Sequence, residues 1–369
     1  GRLPVRHLAG GARAVVDKLI RYATAPEALG TWRNRVVFLA DDGDNNIHQR
    51  DADQLAEILE ANHPDVENEK LYIDAFEQAV LPSGEEVPQL RQRLENIIEE
   101  GALIVNFTGH GAESGWTEEK VLESTQIPDW QNQYRMPLFV TATCEFGRYD
   151  DPSQLSGAEL AVLNPIGGGI ALITTTRPVF ASTNFLLNRA FYNTIFVPQN
   201  GEMPRLGDAM RFTKNNSLNG AINRNFSLLG DPSLRLAYPQ YEAILTHLNG
   251  LPLSEEGPTL RALDQVEARG QIQAGEGAIL SDFQGQVEVL VYDKRQTRQT
   301  LGKAAPVMNF EDRTSVLFRG KATVEMVLSP SVFLFLRTLT IASEPVKSVF
   351  MPRSKQATVM PMGDLKALR

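Results

Sequence analysis

Two short segments of this chain end on side chains suited to nucleophilic catalysis. Asn106-Phe107-Thr108-Gly109-His110-Gly111 ends on a histidine between glycines, and Thr141-Ala142-Thr143-Cys144-Glu145 carries the only cysteine of the 369 residues. A thiol needs a neighbouring base to become a working nucleophile, and an imidazole is the usual one. Each segment closes an apolar run, Leu103 to Phe107 in the first and Pro137 to Thr141 in the second. If both runs are adjacent parallel strands, His110 and Cys144 emerge at one carboxyl edge of a sheet, where open α/β folds place their sites. A lone cysteine is often a small buried filler. Cys144 is followed by Glu145, Gly147 and Arg148 rather than by more core, which leaves its thiol within reach of a substrate. Gly109 and Gly111 let backbone come close to a ligand. The amides of Gly111 and Cys144 could then stabilise an oxyanion.

The elements that must position these residues are legible from periodicity. Up to about Tyr238, helix and strand patterns alternate. Helices are expected at Ala14–Ile20, Asp51–Ala61, Pro88–Glu100, Gly157–Leu163, about Thr183–Phe196 and Gly207–Lys214, and Gly101 is a stop signal. Strands are expected at Arg35–Ala40, at the two catalytic segments and at Ile170–Thr175. This alternation implies a mostly parallel sheet with helices on both faces. After Pro239 the rhythm becomes alternating and strand-like at Leu260–Ala262, Val266–Ile272, Gln286–Tyr292 and Phe318–Val324, which reads as a small antiparallel sandwich. The domains expected are therefore 1–238 and 239–369. From about Met326 the apolar clusters are irregular and acids are few, so we read the tail as atypical, the product of a reading-frame error.

Composition bounds the function. Hydrophobic residues make up 42% and charged residues 22%, as in globular domains. A net charge of −9 argues against nucleic acid as a partner. One cysteine excludes a disulfide framework. No apolar run approaches the roughly 20 residues needed to span a bilayer. The opening Gly1-Arg2-Leu3-Pro4-Val5 looks like mid-domain sequence, so the chain reads as a fragment without its signal peptide.

Two further motifs have a bland and a functional reading. The acidic loop Asp41-Asp42-Gly43-Asp44-Asn45-Asn46 follows a buried strand. It is either a solvated turn, a source of oxygen ligands for a structural calcium ion, or the place from which Asp41 or Asp42 accepts a hydrogen bond from His110 and fixes its tautomer. It lacks the glutamate that completes an EF-hand. His48, nearby, is either a surface residue or part of a substrate pocket. Gly167-Gly168-Gly169 precedes a strand rather than a helix, the wrong order for a phosphate cradle, and reads as a turn.

With these residues in hand, the chain resembles the gingipain-type cysteine peptidases, a caspase-like family. The resemblance is carried by Asn106 to Glu113, Thr143-Cys144, Ile170 to Thr176 and Phe226 to Leu234, the last of which closes the catalytic domain before an immunoglobulin-like β-sandwich. It implies Cys144 as nucleophile, His110 as base, Gly111 and Cys144 as oxyanion amides, and Asp41, with Asp42 adjacent, as the acid that orients the histidine. Gly1 to Arg6, Trp32 to Arg35, Asp41 to Asn46 and Gly115-Trp116 further resemble the branch of surface peptidase/sortases in the type IX secretion system of Bacteroidota. That likeness implies an exported cargo whose C-terminal sorting domain is removed, a thioester passed to water or to an amine of anionic lipopolysaccharide, an outer-membrane barrel partner, a cell-surface location and no required cofactor. Arginine-specific members place an aspartate at the base of the substrate pocket. That position falls on His48 here, Phe180 stands where a tryptophan is expected, and Thr176 completes the pocket. A neutral histidine cannot form the bidentate carboxylate pair that selects arginine, so a trypsin-like specificity is not expected. The alternatives are a secreted gingipain-like endopeptidase and a catalytically silent scaffold that binds cargo signals.

Overall fold

The computed structural model describes residues 10–82, 84–217, 219–220, 222–253, 265–274, 277–313, 315–324, 336–340 and 359–361. Six strands form the central sheet: β1 (Arg35–Ala40), β2 (Glu67–Tyr72), β3 (Ile104–Thr108), β4 (Leu138–Ala142), β5 (Ala171–Thr175) and β6 (Phe226–Leu229). Their order across the sheet is β6-β5-β4-β3-β1-β2. Every pairing is parallel except that of β5 with β6. The mostly parallel α/β sheet expected from the alternation is therefore present.

Strands buried on both faces read as continuous apolar runs. In β1, Val36, Phe38 and Ala40 enter one core while Val37 and Leu39 enter the other. The first face is covered by α2 (Ile47–Asn62), α5 (Ala181–Ile195) and α6 (Leu206–Asn215), through residues such as Leu55, Leu59, Phe191 and Met210. The second is covered by α3 (Pro88–Glu100) and α4 (Gly157–Leu163), through Leu90, Leu94, Ile97 and Ala161. Gly101 ends α3 at φ +94°, a conformation that favours glycine. The first helix, α1 (Gly10–Thr24), is longer than its amphipathic stretch suggested. Its buried Lys18 donates to the carbonyls of Ala161, Val162, Asn164 and Gly167, which pins α1 to the end of α4.

Beyond Pro239, strands at Glu242–Leu248, Gln265–Gln273 and Leu336–Thr340 belong to one antiparallel sheet, and Gly285–Tyr292, Val316–Val324 and Val359–Pro361 to another. The two sheets share a core that includes Val266, Ile272, Val287 and Val324. The expected strand at Leu260–Ala262, and most of the tail read as atypical, lie outside the described residues.

A hairpin of Gln296–Gln299 and Asn309–Asp312 leaves this second region and packs against the peptidase sheet. Phe310 meets Tyr72 with ring centroids 4.8 Å apart and joins the first core. Asp74, fully buried, accepts the backbone N–H groups of Gly302 (2.8 Å) and Lys303 (3.0 Å). Asn46 donates to the carbonyl of Pro306, so the same segment braces the acidic loop after β1.

Candidate active site

The site lies where β1, β3 and β4 end side by side. Ala40 pairs with Thr108, and Thr108 pairs with Ala142. Two residues past that shared rung, β3 delivers His110 and β4 delivers Cys144, while Asp41 follows β1 directly. Parallel register alone therefore brings the acid, the imidazole and the thiol to one edge. Cys144 is half-buried, with Sγ 3.8 Å from the carbonyl of Val179. Glu145 next to it has φ +58°, a left-handed conformation costly for a residue with a Cβ. That turn sends the chain away from β4 at the thiol.

His110 is held at two points. Its backbone N–H donates to Asp41 Oδ2 at 2.7 Å, and Asp41 Oδ1 also accepts the N–H of Gly43 at 3.1 Å. Its ring Nε2 lies 3.0 Å from Asp44 Oδ2. The imidazole is 55% and the Asp44 side chain 59% exposed. The expectation that Asp41 or Asp42 meets the imidazole is thus corrected in its geometry: Asp41 anchors the backbone of His110, and Asp44 reaches the ring. The physical reason is the loop. Asp44, Asn45 and Asn46 all have positive φ (53°, 59° and 64°), and this left-handed run folds Asp44 back over the sheet edge. Gly43 permits the crossing, since a Cβ there would stand 3.2 Å from His110 Cδ2.

Asp42 does not face the histidine. Its Oδ2 accepts from Gln78 Nε2 at 2.6 Å, and its carboxyl clusters with those of Asp41 and Glu119. Burial pushes Asp42 up to about 7, with the Glu119 carboxylate adding to the rise. Burial likewise raises Glu119, whose Oε2 has no hydrogen-bond partner. Asp41, Asp42 and Glu119 are also the residues that would hold the structural calcium ion the acidic loop allows. Calcium takes six to eight oxygens, so other donors would complete its shell.

Gly111 lies against the cysteine loop. A Cβ on it would stand 2.6 Å from Thr143 Oγ1 and 2.9 Å from the carbonyl of Gly115. Only a bare backbone fits there, which is what a candidate oxyanion amide beside Cys144 requires.

The three residues expected to line a pocket are placed differently. His48 sits in the first turn of α2, only 3% exposed, with its ring edge-to-face to His110 at 5.2 Å between centroids. Burial lowers its pKa and favours the neutral ring. Phe180, 67% exposed, precedes α5 and adjoins Val179, whose carbonyl meets Sγ. Thr176 is buried, and its Oγ1 donates to the carbonyl of Asn225 at 3.2 Å rather than toward the thiol.

Glu119 and Asn184 were not singled out from the sequence, and Asp44 was named only as a member of the acidic loop. Asn184 donates from Nδ2 to the carbonyl of Ala142 at 2.9 Å and so supports the end of β4 from α5. No local pattern marks Asp44 as the partner of the imidazole, since its backbone at φ +53° lies outside the helix that follows.

Comparison with known proteins bears on this geometry. The family model described as peptidase family C25 matches residues 1–237. Among solved structures, one titled "Structure of Protease" is 12% identical with a TM-score of 0.51 over 89% of this chain and 72% of that one, a likeness of fold. The Arg-specific cysteine proteinase gingipain R (RgpB) is 14% identical at a TM-score of 0.46, over 90% and 67% of the two chains. Dimeric latent PorU from Porphyromonas gingivalis is 18% identical at 0.27, over 46% and 17%. No curated protein matches. On the family match over more than half its length, the chain belongs to peptidase family C25, the gingipain-type cysteine peptidases.

Proposed function

We propose that this chain is a cell-surface peptidase/sortase that removes the C-terminal sorting domain of type IX secretion cargo. The observation that carries the peptidase chemistry is the shared rung that delivers His110 and Cys144 to one open sheet edge. With His110 Nε2 donating to Asp44, Nδ1 is the nitrogen left to accept the thiol proton. The Cys144 thiolate then attacks the scissile carbonyl, and the oxyanion is met by the amides of Gly111 and Cys144. His110 returns its proton to the leaving amine, which departs with the sorting domain. The cargo remains as a thioester on Cys144. Water releases it as a carboxylic acid, whereas an amine of anionic lipopolysaccharide releases it as an amide; either regenerates the thiol.

The sortase reading draws support from two features. The imidazole at the sheet edge is more than half exposed, which suits a folded protein substrate and a bulky acceptor. His48, which packs against His110, is by the resemblance the counterpart of the carboxylate that selects basic side chains. The chemistry needs no cofactor. An outer-membrane barrel protein as docking partner belongs to the same proposal. Among the described residues no helix is long and apolar enough to cross a membrane. The test is to incubate the protein with a cargo bearing its sorting domain and to weigh the new C-terminus. With anionic lipopolysaccharide added, cargo cut at its sorting domain and ending in a free carboxylate or an amine-linked acceptor, absent with Cys144→Ala, is expected. Intact cargo with a preparation whose Cys144 proves reactive toward iodoacetamide in a parallel assay would refute the proposal.

A further inference from the structure

We propose that Asp44, His48 and His110 form a binding site for a zinc-class divalent ion, and that occupancy silences the thiol. His110 Nε2 lies 3.0 Å from Asp44 Oδ2, and His48 Nε2 lies 3.4 Å from the same oxygen. All three ligand atoms fall within 4.8 Å of one another. Metal–ligand bonds of about 2.0–2.1 Å in a tetrahedron put neighbouring ligand atoms about 3.3 Å apart. The two edges that meet at Asp44 Oδ2 are within a few tenths of an ångström of that figure.

A second observation points to a ligand independently. His48 is almost fully buried, yet neither ring nitrogen has a hydrogen-bond partner. Its 3.4 Å approach to Asp44 lacks hydrogen-bond alignment. A buried polar group left without a partner costs about 1–3 kcal/mol, and a bound ion would satisfy Nε2. Two imidazoles and one carboxylate are donors that suit zinc better than calcium or magnesium. Three protein ligands leave a fourth position for water, beside the exposed side chains of Asp44 and His110.

The consequence for catalysis rests on the reading of His110 as the base. A neutral imidazole has one basic lone pair. When Nε2 gives it to the metal, Nδ1 carries the ring hydrogen, and neither nitrogen can accept the thiol proton. Removing the ion restores the pair.

The test is calorimetric titration of the whole chain with zinc chloride, beside the rate of Cys144 alkylation by iodoacetamide. One zinc per chain is expected in the wild type and in Cys144→Ala. Loss of an outer-shell partner alone weakens metal sites about 10–100-fold, so His48→Ala should weaken binding by more than about 100-fold. Asp44→Asn, at an exposed position, repeats the test if His48→Ala fails to fold. Wild-type affinity in these variants would overturn the site, as would loss of binding in Cys144→Ala, which would place the ion on the thiolate. Alkylation should slow on zinc addition and recover with chelator. Zinc binding that leaves alkylation untouched would uphold the site and overturn His110 as the base, so the two failures are read apart.

Discussion

Asp44 is the acid that reaches the imidazole, yet its position limits what it can contribute. The pair spans 3.0 Å between two side chains that are each more than half exposed. At that distance Coulomb attraction is about 1.4 kcal/mol in water-like surroundings, and exposed pairs measure about 0.2–1 kcal/mol once side-chain ordering is included. Asp44→Asn should therefore lower the alkylation rate of Cys144 at neutral pH by only about 1.5- to 5-fold, measured with iodoacetamide in the presence of chelator. Charge screening adds a second signature: the Debye length falls to about 3 Å at 1 M salt, so the difference between variant and wild type should vanish there. A buried orienting acid behaves otherwise, since its loss in a serine protease triad costs about 10⁴-fold. A drop of 10³-fold or more with Asp44→Asn, or a drop indifferent to salt, would refute the reasoning that this contact is solvent-screened.

Asp41 should matter more than Asp44. Asp41→Asn keeps one acceptor for two backbone N–H groups and turns an amide donor toward the other, a loss of about 2–4 kcal/mol by the usual worth of charged hydrogen bonds; a lower unfolding midpoint and slower alkylation than in Asp44→Asn are expected, and near-wild-type behaviour would refute the anchoring role. Asp42 carries a pH dependence. Its folded pKa of about 7 lies above the unfolded value near 3.8, so the native state holds the extra proton between them. That contribution is full below about pH 4 and is lost as pH rises through 7; in chelator, Asp42→Asn should flatten the decline in denaturant midpoint, and an unchanged slope would count against it. On the proposed reading that His48 replaces the carboxylate of arginine-specific members, arginyl and lysyl peptides should be poor substrates; robust turnover, followed as release of a fluorescent leaving group, would overturn this.

The parts legible in the sequence were those governed by local pattern. Pro88–Glu100 and Gly157–Leu163 match their helices because local signals act within a few residues, proline at the first turn and glycine past the last in one, and the Ser156 capping box at the start of the other. β2 (Glu67–Tyr72) was missed for the opposite reason. It is an edge strand whose first half is polar, and Tyr72 packs against Phe310 of the hairpin of residues 296–312, from far along the chain. The same distinction runs through the site. His110 and Cys144 could be paired beforehand because both end apolar runs, and parallel strands that share a register bring equal offsets together. The partner of the imidazole could not, because it depends on three consecutive left-handed residues, which asparagine and aspartate tolerate but do not announce. That turn is in turn braced through Asn46 by Pro306, a contact across 260 positions. The acid that meets the histidine is therefore chosen by tertiary packing onto the loop rather than by the order of aspartates within it. A change in the residue 300–308 segment should then be felt first at Asp44, not at Asp41, whose hold on the His110 backbone follows directly from the end of β1.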